Sequence, residues 1–115
     1  MKGEPVNTCI ITGNLGDDPE MVVTESEKQI ATFSLAFKSG KDKTSWIKVS
    51  CFNRLAEVAA QYLHKGARVV VTATLDQNKW ETEEGEARSN HRLIANIIEF
   101  VKTDGRGFDG EEAPF

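Results

Sequence analysis

This 115-residue sequence has little of what catalysis, export or metal binding needs: two cysteines, two histidines, three prolines and one tyrosine. Cys9 and Cys51 form no Cys-x-x-Cys pair and lie in apolar runs away from any histidine cluster. The expectation is therefore two buried, reduced thiols in place of a metal site or a disulfide. No stretch approaches the roughly 18 to 20 consecutive apolar residues of a membrane span, and Met1-Lys2-Gly3-Glu4-Pro5 lacks the apolar block of a signal peptide. A soluble, unexported protein with no membrane contact is expected. There is no phosphate loop, no metal-spaced His/Cys set and no nucleophile beside a base, so no catalytic residue, metal or cofactor is expected. His64, near the end of a predicted helix, and His91, alone in a strand, read as structural or solvated.

Positive charge is short as well: 14 Lys and Arg face 18 Asp and Glu, for a net charge of −4. Taken alone, that balance argues against a nucleic-acid binder. The distribution changes the argument. Residues 103–115 hold Asp104, Asp109, Glu111 and Glu112 against Arg106, so the tail carries three of the four net charges and the body is close to neutral. The length suits one domain with its own core, over residues 1–102. Residues 103–115, with three glycines and no periodic apolar face, read as a flexible acidic tail.

What the body does have is a strand with two different faces. In Trp46-Ile47-Lys48-Val49-Ser50-Cys51-Phe52, one side collects Ile47, Val49 and Cys51 and the other Trp46, Lys48, Ser50 and Phe52. A core has little use for Lys48, and a purely solvated face has little use for two rings. Single-stranded nucleic acid suits such a surface, since bases stack on rings and phosphates need neutralising. The alternative reading is a second core layer or a subunit interface, with Lys48 snorkelling past the rings.

Around this strand the chain reads as a meander. Residues 7–15, 21–24 and 30–37 have strand patterns, broken by Gly16-Asp17-Asp18-Pro19 and Ser26-Glu27-Lys28. Residues 38–45 form a hydrophilic connection with three lysines, Lys38, Lys41 and Lys43. Asn53 is placed to cap a helix whose apolar stripe is Leu55, Val58, Ala59, Tyr62 and Leu63, ended by Gly66. Strand character resumes over 68–75, and segments 76–82 and 88–101 flank Glu83-Glu84-Gly85-Glu86-Ala87 as a late protruding hairpin. The pattern predicts a mainly all-β fold: a five-stranded OB-fold Greek-key barrel with one α-helix between strands 3 and 4.

Several blocks carry a family resemblance. Asn14-Leu15-Gly16-Asp17-Asp18-Pro19-Glu20, Trp46-Ile47-Lys48-Val49, Leu55-Ala56-Glu57-Val58-Ala59, Tyr62-Leu63-His64-Lys65-Gly66 and Lys79-Trp80 closely resemble successive blocks of the bacterial single-stranded DNA-binding protein family, SSB. The likeness runs in consistent order over residues 7 to about 101, and acids followed by Pro114-Phe115 add to it. It implies an OB-fold protomer, usually in a homotetramer, that binds single-stranded DNA without sequence preference during replication, recombination and repair. It further implies a non-enzyme in the cytoplasm with the nucleoid, an organellar form being equally compatible. Carried over by position, Trp46, Phe52 and Trp80 become the stacking residues, and Lys48, Arg54, Lys79 and Arg88 lie near the phosphates, with Lys41 and Lys43 as further candidates. Asp109, Glu111, Glu112, Pro114 and Phe115 become a tip that recruits replication and repair proteins, the acids meeting a basic rim and the final pair an apolar pocket.

The sequence departs from that family in three places. The connection before Trp46 is short and lacks a tryptophan often found there. Asp76 and Asn78 replace commonly basic residues, and Glu81, Glu83, Glu84 and Glu86 make the hairpin acidic, so fewer phosphate contacts and a shallower salt dependence are expected. The tail is short, and Ala113 stands where a bulkier aliphatic residue usually precedes the closing pair. The missing tryptophan and the acidic hairpin favour the main alternative, a degenerate OB-fold interaction module with weak DNA binding, whereas the tail's departure bears on partner docking.

Overall fold

The computed structural model describes residues 5–102, where the alternating apolar pattern becomes six strands of one sheet. These are β1 (Cys9–Leu15), β2 (Glu20–Val23), β3 (Gln29–Gly40), β4 (Lys43–Phe52), β5 (Arg68–Glu81) and β6 (Ala87–Lys102), with the helix α1 (Arg54–Tyr62) between β4 and β5. The strand order is β1-β5-β6-β4-β3-β2, and β1 also pairs with β3 at Asn14↔Ala36 and Leu15↔Leu35. All pairings are antiparallel except that of β4 with β6, which is parallel from Lys48↔Arg92 to Ser50↔Ile94.

This architecture corrects the expected all-β, five-stranded OB-fold Greek-key barrel with its helix between strands 3 and 4. The fold mixes helix and sheet, has six strands, and places its helix after the fourth. The reason lies in β2. Only four residues long, it pairs with β3 from Glu20↔Thr32 to Val23↔Gln29 and so is a sheet member in its own right. Backbone pairing, which needs no long apolar pattern, decides membership.

The same cause reshapes the lysine-rich connection. Residues 38–45 are mostly strand: Lys38 pairs with Thr44 and Gly40 with Lys43, leaving Lys41 and Asp42 as the turn of a hairpin. Asn53 does precede α1, yet its side chain makes no cap bond. It turns the chain sharply out of β4 with a φ of 56°, which asparagine tolerates better than most residues. The helix stops at Tyr62, and Gly66, with a φ of 93°, sits in the turn beyond it.

The inner face is built from every second residue of the long strands. Ala31, Phe33 and Leu35 of β3, Val49 and Cys51 of β4, Val69, Val71 and Ala73 of β5, and Leu93 of β6 are fully buried there. Ala56, Ala59 and Leu63 cover this layer from the helix side. Both cysteines are free; Cys51 is buried, whereas Cys9 is only half-buried, short of the expected burial. Among the described residues no helix is long and apolar enough to cross a membrane, and no group of three or more His, Cys, Asp or Glu could hold a metal ion.

Candidate nucleic-acid interface

Because Val49 and Cys51 are drawn into the core and Ile47 packs against it, strand alternation turns Trp46, Lys48, Ser50 and Phe52 to the other face. Trp46 is 60% exposed, Lys48 is exposed, and Phe52 is half-buried. Six residue steps lead from Trp46 to Phe52, a run of about 20 Å along the strand. Between Lys48 and Phe52 the floor is closed by Ser50, which is buried with Thr32 on one side and Ile94 on the other.

Trp46 has a defined seat. Its partner on β3 is Ala36, too small to cover an indole. Its six-membered ring rests over Gly16: a Cβ added at residue 16 would overlap Cζ3 and lie 2.9 Å from Cη2. The seat is fixed from both sides. The Gly16 amide donates to the Ser34 carbonyl at 2.8 Å, and the Ser34 amide donates to Asp17 Oδ1 at 3.0 Å. The Lys65 amide donates to Asp18 Oδ1 at 2.7 Å, tying the same loop to the segment after the helix.

The second indole stands on the β5–β6 hairpin. Its turn is closed by the Thr82 amide donating to the Glu86 carbonyl at 2.9 Å, with Gly85 at a φ of 88°. The resulting register pairs Trp80 with Arg88, Asn78 with Asn90 and Asp76 with Arg92. Arg92 is in turn level with Lys48 of β4. Paired residues share a face, so Trp80, Arg88 and Arg92 lie on the same side of the sheet as Trp46 and Lys48. Trp80 is 49% exposed.

The other candidates fall less tightly. Lys79 pairs with Ser89, one step out of phase with Trp80, and so belongs to the opposite face of the hairpin. It still lines a recess of about 360 Å³ together with Trp80, Arg88 and Gln77. Arg54 opens α1 just beyond Phe52 and forms an exposed ion pair with Glu57 at 3.6 Å. Lys41 and Lys43 are exposed at the β3–β4 hairpin tip. Asp109, Glu111, Glu112, Pro114 and Phe115 lie outside the described residues.

Two cations on the Trp46 face are additions to the sequence-derived set. Lys38 pairs with Thr44, two residues beyond Ala36↔Trp46, and borders a cleft of about 660 Å³ with Thr12, Asn14, Thr44 and Arg68. Arg92 is level with Lys48 and bonds Asp76 Oδ2 through Nε at 2.9 Å. Arg88 is held similarly, by Glu86 Oε1 at 2.7 Å. Cys51, at the back of this face, is inert: burial pushes its thiol from 9.0 up to about 12.

A solvent-facing sheet surface bearing indoles and cations is that of a nucleic-acid-binding module. The chain matches the model of the Single-strand binding protein family over residues 6–101 and belongs to that family. Proteins of this family bind nucleic acid without catalysing a reaction, and the protein is accordingly not an enzyme.

Proposed function

We propose that the protein coats unpaired DNA without regard to sequence, with bases stacking on Trp46, Trp80 and the accessible edge of Phe52. Lys48, Arg88 and Arg54 then neutralise phosphates, Lys79 assists from the hairpin edge, and Lys38, Lys41 and Lys43 extend the track. The observation that carries this reading is the pair of exposed indoles sharing one face with Lys48 and two arginines. Every base has a π-face, so stacking of this kind tolerates any sequence and competes with duplex formation. Titration of the intrinsic tryptophan fluorescence with oligothymidine tests it: quenching that saturates at low salt is expected, and its absence removes the reading.

The protein acts, in this proposal, as a homotetramer in the cytoplasm, serving replication, recombination and repair. Exposed Ile10 and Ile97, both level with Thr72 on the outward face, support self-association. Sedimentation of the full chain with and without oligothymidine checks the assembly. The acidic segment with Asp109, Glu111, Glu112, Pro114 and Phe115 is proposed to dock on partner proteins; a Pro114→Ala, Phe115→Ala variant that still recruits them would exclude that role. A second reading, an interaction module with weak strand affinity, draws support from the acidic hairpin and from carboxylates already bonded to Arg88 and Arg92. The same titration separates the two.

A further inference from the structure

Lys48, Arg92 and Asp76 form a single row across three strands, because Arg92 is level with Lys48 on β4 and with Asp76 on β5. The register also fixes what lies on either side of the row. Trp46 precedes Lys48 by two residues, and Trp80 pairs with Arg88, four residues before Arg92 on the strand parallel to β4. Both indoles therefore sit on one side. Phe52, four residues after Lys48, sits on the other. A nucleic-acid strand that stacks on the indoles and on Phe52 has to cross this row, over a guanidinium that is bonded to a carboxylate.

We propose that Arg92 is a phosphate-binding residue and that Asp76 is its resident stand-in for phosphate, displaced when a strand crosses the row. This inference rests on the strand-binding reading above and adds to it a residue and a competitor. The pair suits exchange. Arg92 Nε meets Asp76 Oδ2 at 2.9 Å, one of the five donors that a guanidinium offers, and the side chains are 32% and 37% exposed. A pair so open to water is weakly held. A phosphate offers several oxygens for bidentate contact, whereas Asp76 engages the guanidinium fork through a single N–H.

The exchange has a salt signature. Each phosphate neutralised on a single strand normally contributes about 0.7 to the slope of log affinity against log salt, because counterions are released. At Arg92 the counterion is Asp76, covalently part of the protein, so the contact forms while contributing little to that slope. The Glu86–Arg88 pair at the hairpin mouth repeats the arrangement with side chains 63% and 58% exposed. Its exchange is expected to matter less.

The test uses the full chain, oligothymidine and a salt series, with Asp76→Asn, Arg92→Gln and the double variant. Asp76→Asn keeps the shape of the side chain and removes its charge; it is expected to tighten binding about threefold to fivefold at low salt, the equivalent of one exposed ion pair, and to steepen the salt slope by about 0.7. Arg92→Gln is expected to weaken binding, and in that background the Asp76→Asn gain should vanish. A gain of full size in the Arg92→Gln background means that Asp76 acts only through net charge, and overturns the proposal. Unchanged or weakened binding by Asp76→Asn, with its melting temperature retained, overturns it too. If the wild type captured no oligothymidine, the strand-binding reading would fall and take this inference with it; normal capture with an unaltered Asp76→Asn salt slope removes this inference alone.

Discussion

Trp46 and Trp80 share a face of one sheet but stand on different ground. Beneath the Trp46 strand, Val49 and Cys51 are buried in the core, β3 and β6 flank it, and the ring itself is seated on Gly16. Beyond Asp76 and Arg92 the β5–β6 hairpin is a two-stranded ribbon: residues 77–81 and 83–91 are exposed, on both of its faces. A two-stranded ribbon with no apolar layer behind it is marginal by itself. One indole is thus a platform backed by the core, and the other rides on a solvated arm held only by its own cross-strand pairing. Rigid placement avoids an ordering cost on binding, so the two rings should differ in what they contribute.

The largest contrast is in stability. Phe33 is the bulkiest of the fully buried side chains, directly across from Val49 on the inner layer. Phe33→Ala is expected to cost about 3–5 kcal/mol. Gln77→Ala on the ribbon should stay within about 0.5 kcal/mol. Urea denaturation compares them, and a large loss from Gln77→Ala would mean that the ribbon is part of the cooperative core.

Alkaline pH should separate the regions in the same way. Cys51 has its thiol raised from 9.0 to about 12 by burial, which favours the neutral form in the folded state. The stability it contributes is fully present below pH 9 and is lost as the pH climbs through about 12. Over that window each pH unit costs about 1.4 kcal/mol. Denaturation curves of wild type and Cys51→Ala at several alkaline pH values check this, and the steep alkaline loss should be smaller in the variant.

Binding gives the next contrast. Removing a stacked ring costs about 1–3 kcal/mol per base. Trp46→Ala is expected near the upper end and Trp80→Ala near the lower, with little change in melting temperature for either. Equal losses in oligothymidine titrations would show that the ribbon is as well ordered before binding as the β4 strand.

Which of these features the sequence reveals depends on how local their cause is. Alternation within one strand is local, so the inward set Ile47, Val49 and Cys51 and the outward set around Trp46 follow from the residues alone. Parity within the ribbon is local too, and it could have separated Lys79 from Trp80, since neighbours in a strand face opposite ways. Arg92 shares Arg88's parity, but placing it beside Lys48 needs the parallel register of β4 and β6, which no short-range pattern encodes. Residues 21–24 already carry a strand pattern, and what the fold adds is their pairing along β3, from Glu20↔Thr32 to Val23↔Gln29, as a sixth member of the sheet. The outer turns of the β3–β4 hairpin are held by backbone pairing between polar residues, so hydrophobic periodicity passes over them. The seat of Trp46 on Gly16 joins positions thirty residues apart, and only the fold brings them together.

That seat supplies the smallest and most specific test of the comparison. A methyl group at residue 16 would overlap the Trp46 ring, and the loop cannot easily retreat, because Gly16, Asp17 and Asp18 are each hydrogen-bonded to Ser34 or Lys65. The indole is the freer partner, being exposed, so it should tilt away from its resting orientation. Gly16→Ala is then expected to weaken oligothymidine binding by about 1 kcal/mol, the lower end of a stacking contribution, while melting close to wild type. In a Trp46→Ala background the same substitution should have almost no further effect, because residues that act through one another are non-additive. Fluorescence of Trp46 in a Trp80→Phe background gives a direct view, with an altered emission maximum expected for Gly16→Ala. Among the described glycines Gly16 alone lies against an indole, so a Gly16→Ala loss that persisted without Trp46 would mean that the glycine supports the sheet in general and that the platform does not depend on it.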